Sequence, residues 1–297
     1  MSYLATIASI AGLNVLLALS VYMNFAAGQF SLAQVGFWAI GAYASAMLTT
    51  LYGVPLVPSL LAAALLSAAI GLVLGYPCLR VRGIYLALAT LGFSEVVRVF
   101  FLNFRWQVLQ DGVPAGPNGA LGFRNIVVLT ALPQILVAVA IAILFFAWLE
   151  RSRFGLALDA VRQDELAAEN VGLDVVRAKV AAFAIGAAIA GIGGGLYANY
   201  ISYITSENFG FQLTLVSVLF VALGGSTTFW GPVLGAVLLT ILPEYIRFLA
   251  EYRMMFYGLF VLVIMILRPK GIIDAALVAR VRAALGRLRQ ASRAPAA

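Results

Sequence analysis

The sequence predicts an all-α, polytopic helical membrane protein with about nine transmembrane helices, in a range of about eight to ten, most of them near the length a bilayer requires. Three observations lead there. The chain has 297 residues that are 63% hydrophobic and 10% charged, with a mean hydropathy of +1.02. A soluble domain carries roughly 25% charged residues, and no soluble core could absorb this much apolar sequence. The apolar runs lack the two-residue alternation of a barrel strand, which leaves helices as the way to satisfy backbone polar groups in lipid.

The elements follow in order. Leu4–Met23 is the first span, and no charged side chain precedes Arg80. Asn24–Gln34 is a polar, glycine-containing break, followed by a second span over Val35–Leu51. Pro55 ends that span, because proline cannot continue a helix interior. The third span is Leu56–Tyr76, and the fourth, Ile84–Phe104, follows a short basic loop. Asn103–Asn125 is rich in Gly, Pro and Asn, so turns rather than helix are expected. Further spans are Ile126–Leu149, Val180–Tyr203, a short Phe211–Leu223, Gly231–Ile246 and a short Met254–Leu267. Residues 1–270 read as one transmembrane domain and residues 271–297 as a basic amphipathic cytoplasmic tail suited to an anionic lipid surface.

Orientation follows from the positive-inside rule. If residues 150–179 are cytoplasmic and the spans alternate, 14 of 19 basic residues lie inside. Only Arg105, Arg124, Arg247 and Arg253 lie outside, with Arg98 within a span. The N-terminus is then outside and the C-terminus inside. The net charge of +7 is explained at the membrane edges and calls for no nucleic acid.

An internal echo is visible. Gly28-Gln29-Phe30-Ser31 precedes Gly36 and Gly41-Ala42, as Gly225-Ser226 precedes Gly231 and Gly235-Ala236. Duplicated halves with broken helices are a transporter habit.

Composition restricts the chemistry. One cysteine, Cys78, and no histidine exclude an intrachain disulfide and make metal ligation or imidazole acid–base catalysis untenable. Neither lysine fits a phosphate-binding loop, since Val180 follows Lys179 and Gly271 follows Lys270. This chain binds no ATP, and no cofactor is expected on it. Glu95 and Arg98 share one face of the fourth span. Charges there either lock the helix as a pair or serve passage and gating. Asn24, Gln29, Ser31, Gln34, Thr90, Ser94 and Ser226 are further candidates for a polar pathway, although each such residue taken alone more often makes a helix–helix hydrogen bond. The glycines of Gly186–Gly195 suit close helix packing.

The longest polar stretch, Glu150–Lys179, holds six of the 12 acids and five of the 19 basic residues. Within it Asp159–Val171 favours a helix, and Gly172 is placed to end it in a left-handed cap. Ala160, Val161, Ala167, Ala168 and Val171 suggest a small apolar stripe able to enter a groove on another protein. Asp164, Glu165 and Glu169 flank it.

The run Glu165-Leu-Ala-Ala-Glu-Asn-Val-Gly172 resembles the EAA signature of ABC importer permeases, with Leu166 where a strict signature has alanine. More of the chain resembles branched-chain amino acid permeases of the LivH/LivM family, and the LivM type in particular. The residues are Arg82–Arg98, Ala160–Ala168, Ala190–Ala198, Gly224–Gly235 and Arg268–Gly271. The resemblance implies a permease subunit of an ATP-driven importer in a bacterial cytoplasmic (inner) membrane. Its partners would be a homologous permease, two ATP-binding subunits carrying ATP and Mg, and a periplasmic or extracellular substrate-binding protein received by Asn103–Asn125. Asp164, Glu165, Ala167, Ala168 and Gly172 would couple to the ATPase. The alternative is an ion- or proton-coupled secondary transporter using Glu95.

Overall fold

The computed structural model describes residues 3–245 except 79, 80, 82, 111 and 112, together with 258 and 262. Apart from Gly258 and Leu262, the last expected span and the tail lie outside the described residues. The helices are α1 (Tyr3–Ala26), α2 (Gln34–Leu51), α3 (Leu56–Cys78), α4 (Ile84–Asn103), α5 (Leu132–Leu149), α6 (Arg153–Gln163), α7 (Glu165–Asn170), α8 (Val175–Ile201), α9 (Phe211–Gly224) and α10 (Trp230–Tyr245). Among the described residues six segments are long and apolar enough to cross a membrane, and α10 is a shorter apolar helix. The architecture is that of a multi-pass helical bundle.

The longest helix, α8, is the centre. It packs on α3, α2 and α1. Its glycines are the reason. A Cβ on Gly194 would stand 2.0 Å from the Trp38 carbonyl oxygen of α2, and one on Gly193 would strike the Trp38 ring. A Cβ on Gly41 of α2 would stand 2.2 Å from the Gly191 carbonyl oxygen. Without side chains between them the backbones approach closely, so dispersion contacts replace the hydrophobic drive that lipid does not provide. At the same interface the Thr49 hydroxyl donates to the Asn199 side-chain oxygen, and the Asn199 amide donates to Ser45.

Three elements depart from the sequence expectation. Residues 104–125 do not only turn. Val108–Gln110 (β1), Val113–Pro117 (β2) and Phe123–Arg124 (β3) form a small antiparallel sheet of order β1-β2-β3. Gly116 permits it, with φ at +125° and no room for a Cβ beside the Trp106 carbonyl. The second departure is at the fifth span, where α5 begins six residues after the expected Ile126. The intervening strand-like segment is held elsewhere, by Ile126 N–H to the Ser202 carbonyl and Thr130 N–H to the Asn199 carbonyl. The span after the polar loop instead begins earlier than expected, at Val175, because the Asp174 side chain accepts from Arg177 N–H and caps it.

The two breaks of the sequence echo are both non-helical. Each carries a glycine with positive φ, Gly28 at +71° and Gly225 at +103°.

Gly194→Ala should destabilise the fold by about 1–3 kcal/mol, the cost of overpacking a tight contact. Gly92→Ala, on an open face of α4, should be neutral or stabilise by roughly 0.5–1 kcal/mol. Denaturant or thermal unfolding of the lipid-reconstituted protein measures both.

Candidate functional site: the polar loop and the two breaks

The Glu150–Lys179 stretch is two helices rather than one. The chain leaves α5 through a tight turn in which Gly155 sits against the Leu149 carbonyl, and the Ser152 hydroxyl caps α6 by accepting from Gly155 N–H. The expected single helix over Asp159–Val171 is interrupted at Asp164, whose backbone is extended. The Asp164 carboxylate accepts from Leu166 N–H at 2.9 Å and Ala167 N–H at 3.1 Å. Aspartate competes with helical hydrogen bonding in this way and favours the cap over the interior. Gly172 does end α7 with a positive φ of +86°, as its position in the sequence suggested.

The apolar stripe expected on one outer face is split. Val161, Ala168 and Val175 are buried together, with Ala160 and Leu173 packed on them. Ala168 therefore faces the inside of the loop, where it holds α6, α7 and α8 in one unit. The outward apolar residues are Leu156, Leu166 at 65% exposure and Val171 at 78%. Ala167 is exposed beside Leu166. Glu165 turns inward and pairs with Lys179 of α8, which is almost fully buried. That pair ties α7 to the foot of the central helix.

Arg162 joins this unit to the membrane helices. Its Nη1 donates to the Ser226 carbonyl at 2.9 Å in the second break, and its Nη2 pairs with Asp159. Its own backbone lies against Gly28 of the first break, where a Cβ on the glycine would come within 3.2 Å of the Arg162 Cα. Glu150 accepts from Phe229 N–H at 3.4 Å. Phe229 in turn stacks on Phe146, and Phe146 meets Tyr22 of α1 edge-on. Both breaks are thus held by residues of the polar loop. Ser226, singled out for its side chain, contributes its carbonyl instead.

The remaining interior polar residues divide in two. Thr90 and Ser94 on α4 serve the first break: Leu32 N–H donates to Thr90, Gly36 N–H to Ser94, and Ser94 donates to the Leu32 carbonyl. They supply the capping that the short entry to α2 cannot make for itself. Ser31 accepts from Ala33 N–H in the same turn. Asn24, Gln29 and Gln34 are fully buried, and among the described residues their side-chain amides have no hydrogen-bond partner. Gly186 of α8 makes room for two of them, since a Cβ there would meet the Gln34 amide nitrogen and the Asn24 amide oxygen.

Glu95 and Arg98 pair at 2.6 Å through Oε2 and Nε. They line an open cleft of about 480 Å³ with Glu207, Gly210 and Phe211. Arg162, Glu150 and Glu207 were not singled out from the sequence. Glu207 had a signal available, as the only acid between Asp174 and Glu244. Among the described residues no group of three metal-ligating side chains occurs.

A bundle of apolar helices with a polar, doubly anchored connector is the architecture of a multi-pass membrane protein. The model of the branched-chain amino acid transport system permease component matches residues 3–267, and the chain belongs to that family. It is 34% identical over 293 residues to the high-affinity branched-chain amino acid transport permease LivM of Salmonella typhimurium, covering 88% of this chain and 66% of the relative. LivM of Escherichia coli gives the same identity and coverage. A probable LivM of Methanocaldococcus jannaschii is 26% identical over 73% of this chain and 68% of its own length. The chain spans just under two thirds of the first two relatives. No solved structure matches it.

Asp164→Ala should expose the Leu166 and Ala167 amides and weaken α7 by about 1 kcal/mol, the usual value of such a cap. Hydrogen exchange at those two amides should quicken about fivefold, with Asp164→Asn close to wild type.

Proposed function

We propose that this chain is one transmembrane permease subunit of an ATP-driven ABC importer for branched-chain or related amino acids, and that α6–α7 receives the motion of a separate ATPase. The supporting observation is the anchorage of the polar loop. Arg162 and Glu150 reach the second break, and the backbone of Arg162 abuts the first. A displacement imposed on α6–α7 would reach both interruptions of the bundle together. The small inner core and the Glu165–Lys179 pair make the loop stiff enough to pass that displacement on. The outward surface of Leu166, Ala167 and Val171 is the face offered to a groove on the ATPase, with Asp164 and Gly172 shaping the α7 turn.

The complex in this reading holds a second, homologous permease, two ATP-binding subunits with ATP and Mg, and a periplasmic or extracellular substrate-binding protein. ATP hydrolysis belongs to the partners, and this chain is not an enzyme. The permease sits in a bacterial cytoplasmic (inner) membrane with nine spans, the N-terminus outside and the C-terminus inside. Residues 1–270 form the transmembrane domain, and the tail over 271–297 lies on the cytoplasmic lipid surface. The small sheet at residues 108–124 helps receive the binding protein. Family membership does not favour an ion-coupled secondary transporter.

Leu166→Arg alters only the outer face of α7, so insertion and folding should survive it. ATP hydrolysis stimulated by the binding protein should fall about tenfold in the reconstituted complex, as when an apolar anchor is lost from the centre of an interface. Normal stimulation in an assembled variant would overturn this docking face. Gln163→Cys, in a Cys78→Ser background, tests the topology. An impermeant thiol reagent should label it in inside-out vesicles and not in intact cells.

A further inference from the structure

The cleft bounded by α4 and the start of α9 has the chemistry of a binding site. Glu95 and Arg98 lie near the middle of α4, on a face that this chain leaves partly open, with side-chain exposures of 35% and 28%. Ionised side chains at such a depth do not face hydrocarbon, because the desolvation cost is several kcal/mol by even the lowest scales. Something polar must occupy or cover that face. Glu207 brings a third charge to the same cleft from the turn before α9.

The arrangement leaves unused valence of both signs. Arg98 gives Nε to Glu95, and among the described residues its two terminal nitrogens make no hydrogen bond. Its side chain lies against Gly210, the residue at the N-terminus of α9, where no side chain caps the helix. A guanidinium fork beside the positive end of a helix suits a carboxylate. The Glu207 carboxylate is exposed and forms no ion pair among the described residues, which suits an ammonium group. Phe211, half exposed at the edge of the cleft, offers an apolar surface.

We propose that this cleft is a transit site for an α-amino acid zwitterion with an apolar side chain, with its carboxylate on Arg98, its ammonium on Glu207 and its side chain against Phe211. Glu95 is a positioning residue that holds the Arg98 fork towards the cleft. The open side is closed by the second permease. The proposal rests on the importer reading and adds to it a place on this chain and a role for each charged group there.

Two measurements on the complete complex in lipid, with its ATPases and binding protein, test it. In the first, L-leucine taken up per ATP hydrolysed should fall about tenfold or more in Glu207→Gln, as expected when one partner of a charge pair is removed. Glu207→Asp should restore much of it. In the second, Phe211→Cys in a Cys78→Ser background is labelled with a thiol reagent. Millimolar L-leucine should slow labelling, while 4-methylpentanoate and isoamylamine, each with only one of the two charges, should not. Glu207→Gln should abolish the protection. Equal labelling with and without leucine, or an unchanged uptake ratio in Glu207→Gln, overturns the site while a transporting complex keeps the importer reading. A wild-type complex without ATP-dependent uptake overturns both.

Discussion

The contact between α2 and α8 sets the rest of the bundle. Where the Trp38 carbonyl lies over Gly194 and the Gly191 carbonyl over Gly41, two backbones meet with no side chain between them. In lipid, apolar helices gain nothing by hiding from the solvent, so packing of this closeness has to supply the association. It has a positional consequence. With α2 held against α8, the break that leads into α2 is fixed beside the lower half of α8, where Gly186 accommodates Asn24 and Gln34. The same helix starts directly after the polar loop, at an Asp174 cap, and its Lys179 pairs with Glu165. One helix therefore fixes both the first break and the foot of the loop that touches it.

The second half of the chain repeats this economy on a smaller scale. Around its break, Gly224 meets the Gly231 carbonyl and Gly235 meets the Phe220 carbonyl, so α9 and α10 also join without intervening side chains. Both breaks use a glycine in the left-handed region, a conformation that costs other residues steric strain. The likeness in the sequence between Gly28–Gly41 and Gly225–Gly235 has a structural counterpart. Each is a non-helical step leading into a glycine-spaced helix, and the Arg162 unit lies against both.

Much of this was legible in the sequence, for identifiable reasons. The ends of α1 to α4 are written in Pro55, Gly83 and the polar run after Asn24, because those residues act through local backbone geometry. Gly172 was legible for the same reason. The interior of the loop was not. Ala, Leu, Glu and Gln all favour a helix through residue 164, and only the competition between the Asp164 side chain and the backbone divides it. The side on which Ala168 falls depends on how α7 folds back on α6 and α8, a tertiary fact with no periodic signature in six residues. Arg162 was passed over because its partners, Ser226 and Gly28, lie 64 and 134 residues away in sequence. The delayed start of α5 was hidden similarly, since Ile126 and Thr130 bond to the end of α8 and leave no mark in an apolar run.

Polar residues inside an apolar bundle do not form one population. Thr90, Ser94 and Ser31 are spent on the backbone of the first break, whose N–H groups would otherwise be unsatisfied in a medium without water. Thr49, Asn199 and Ser45 are spent on each other across the central helix contact. Such groups explain their own presence, and a pathway need not be invoked for them. Charged groups on an open face differ. Among the described residues, the Arg98 terminal nitrogens and the Glu207 carboxylate retain hydrogen-bonding and charge capacity that the fold does not consume. Asn24, Gln29 and Gln34 are left over as well among the described residues, but inside the bundle rather than on an open face. In the proposed transit site the face of α4 and α9 turns towards a partner or an aqueous path, while the aliphatic faces of α3 and α5, with Leu65, Val73, Ile141 and Leu144 outward, suit lipid.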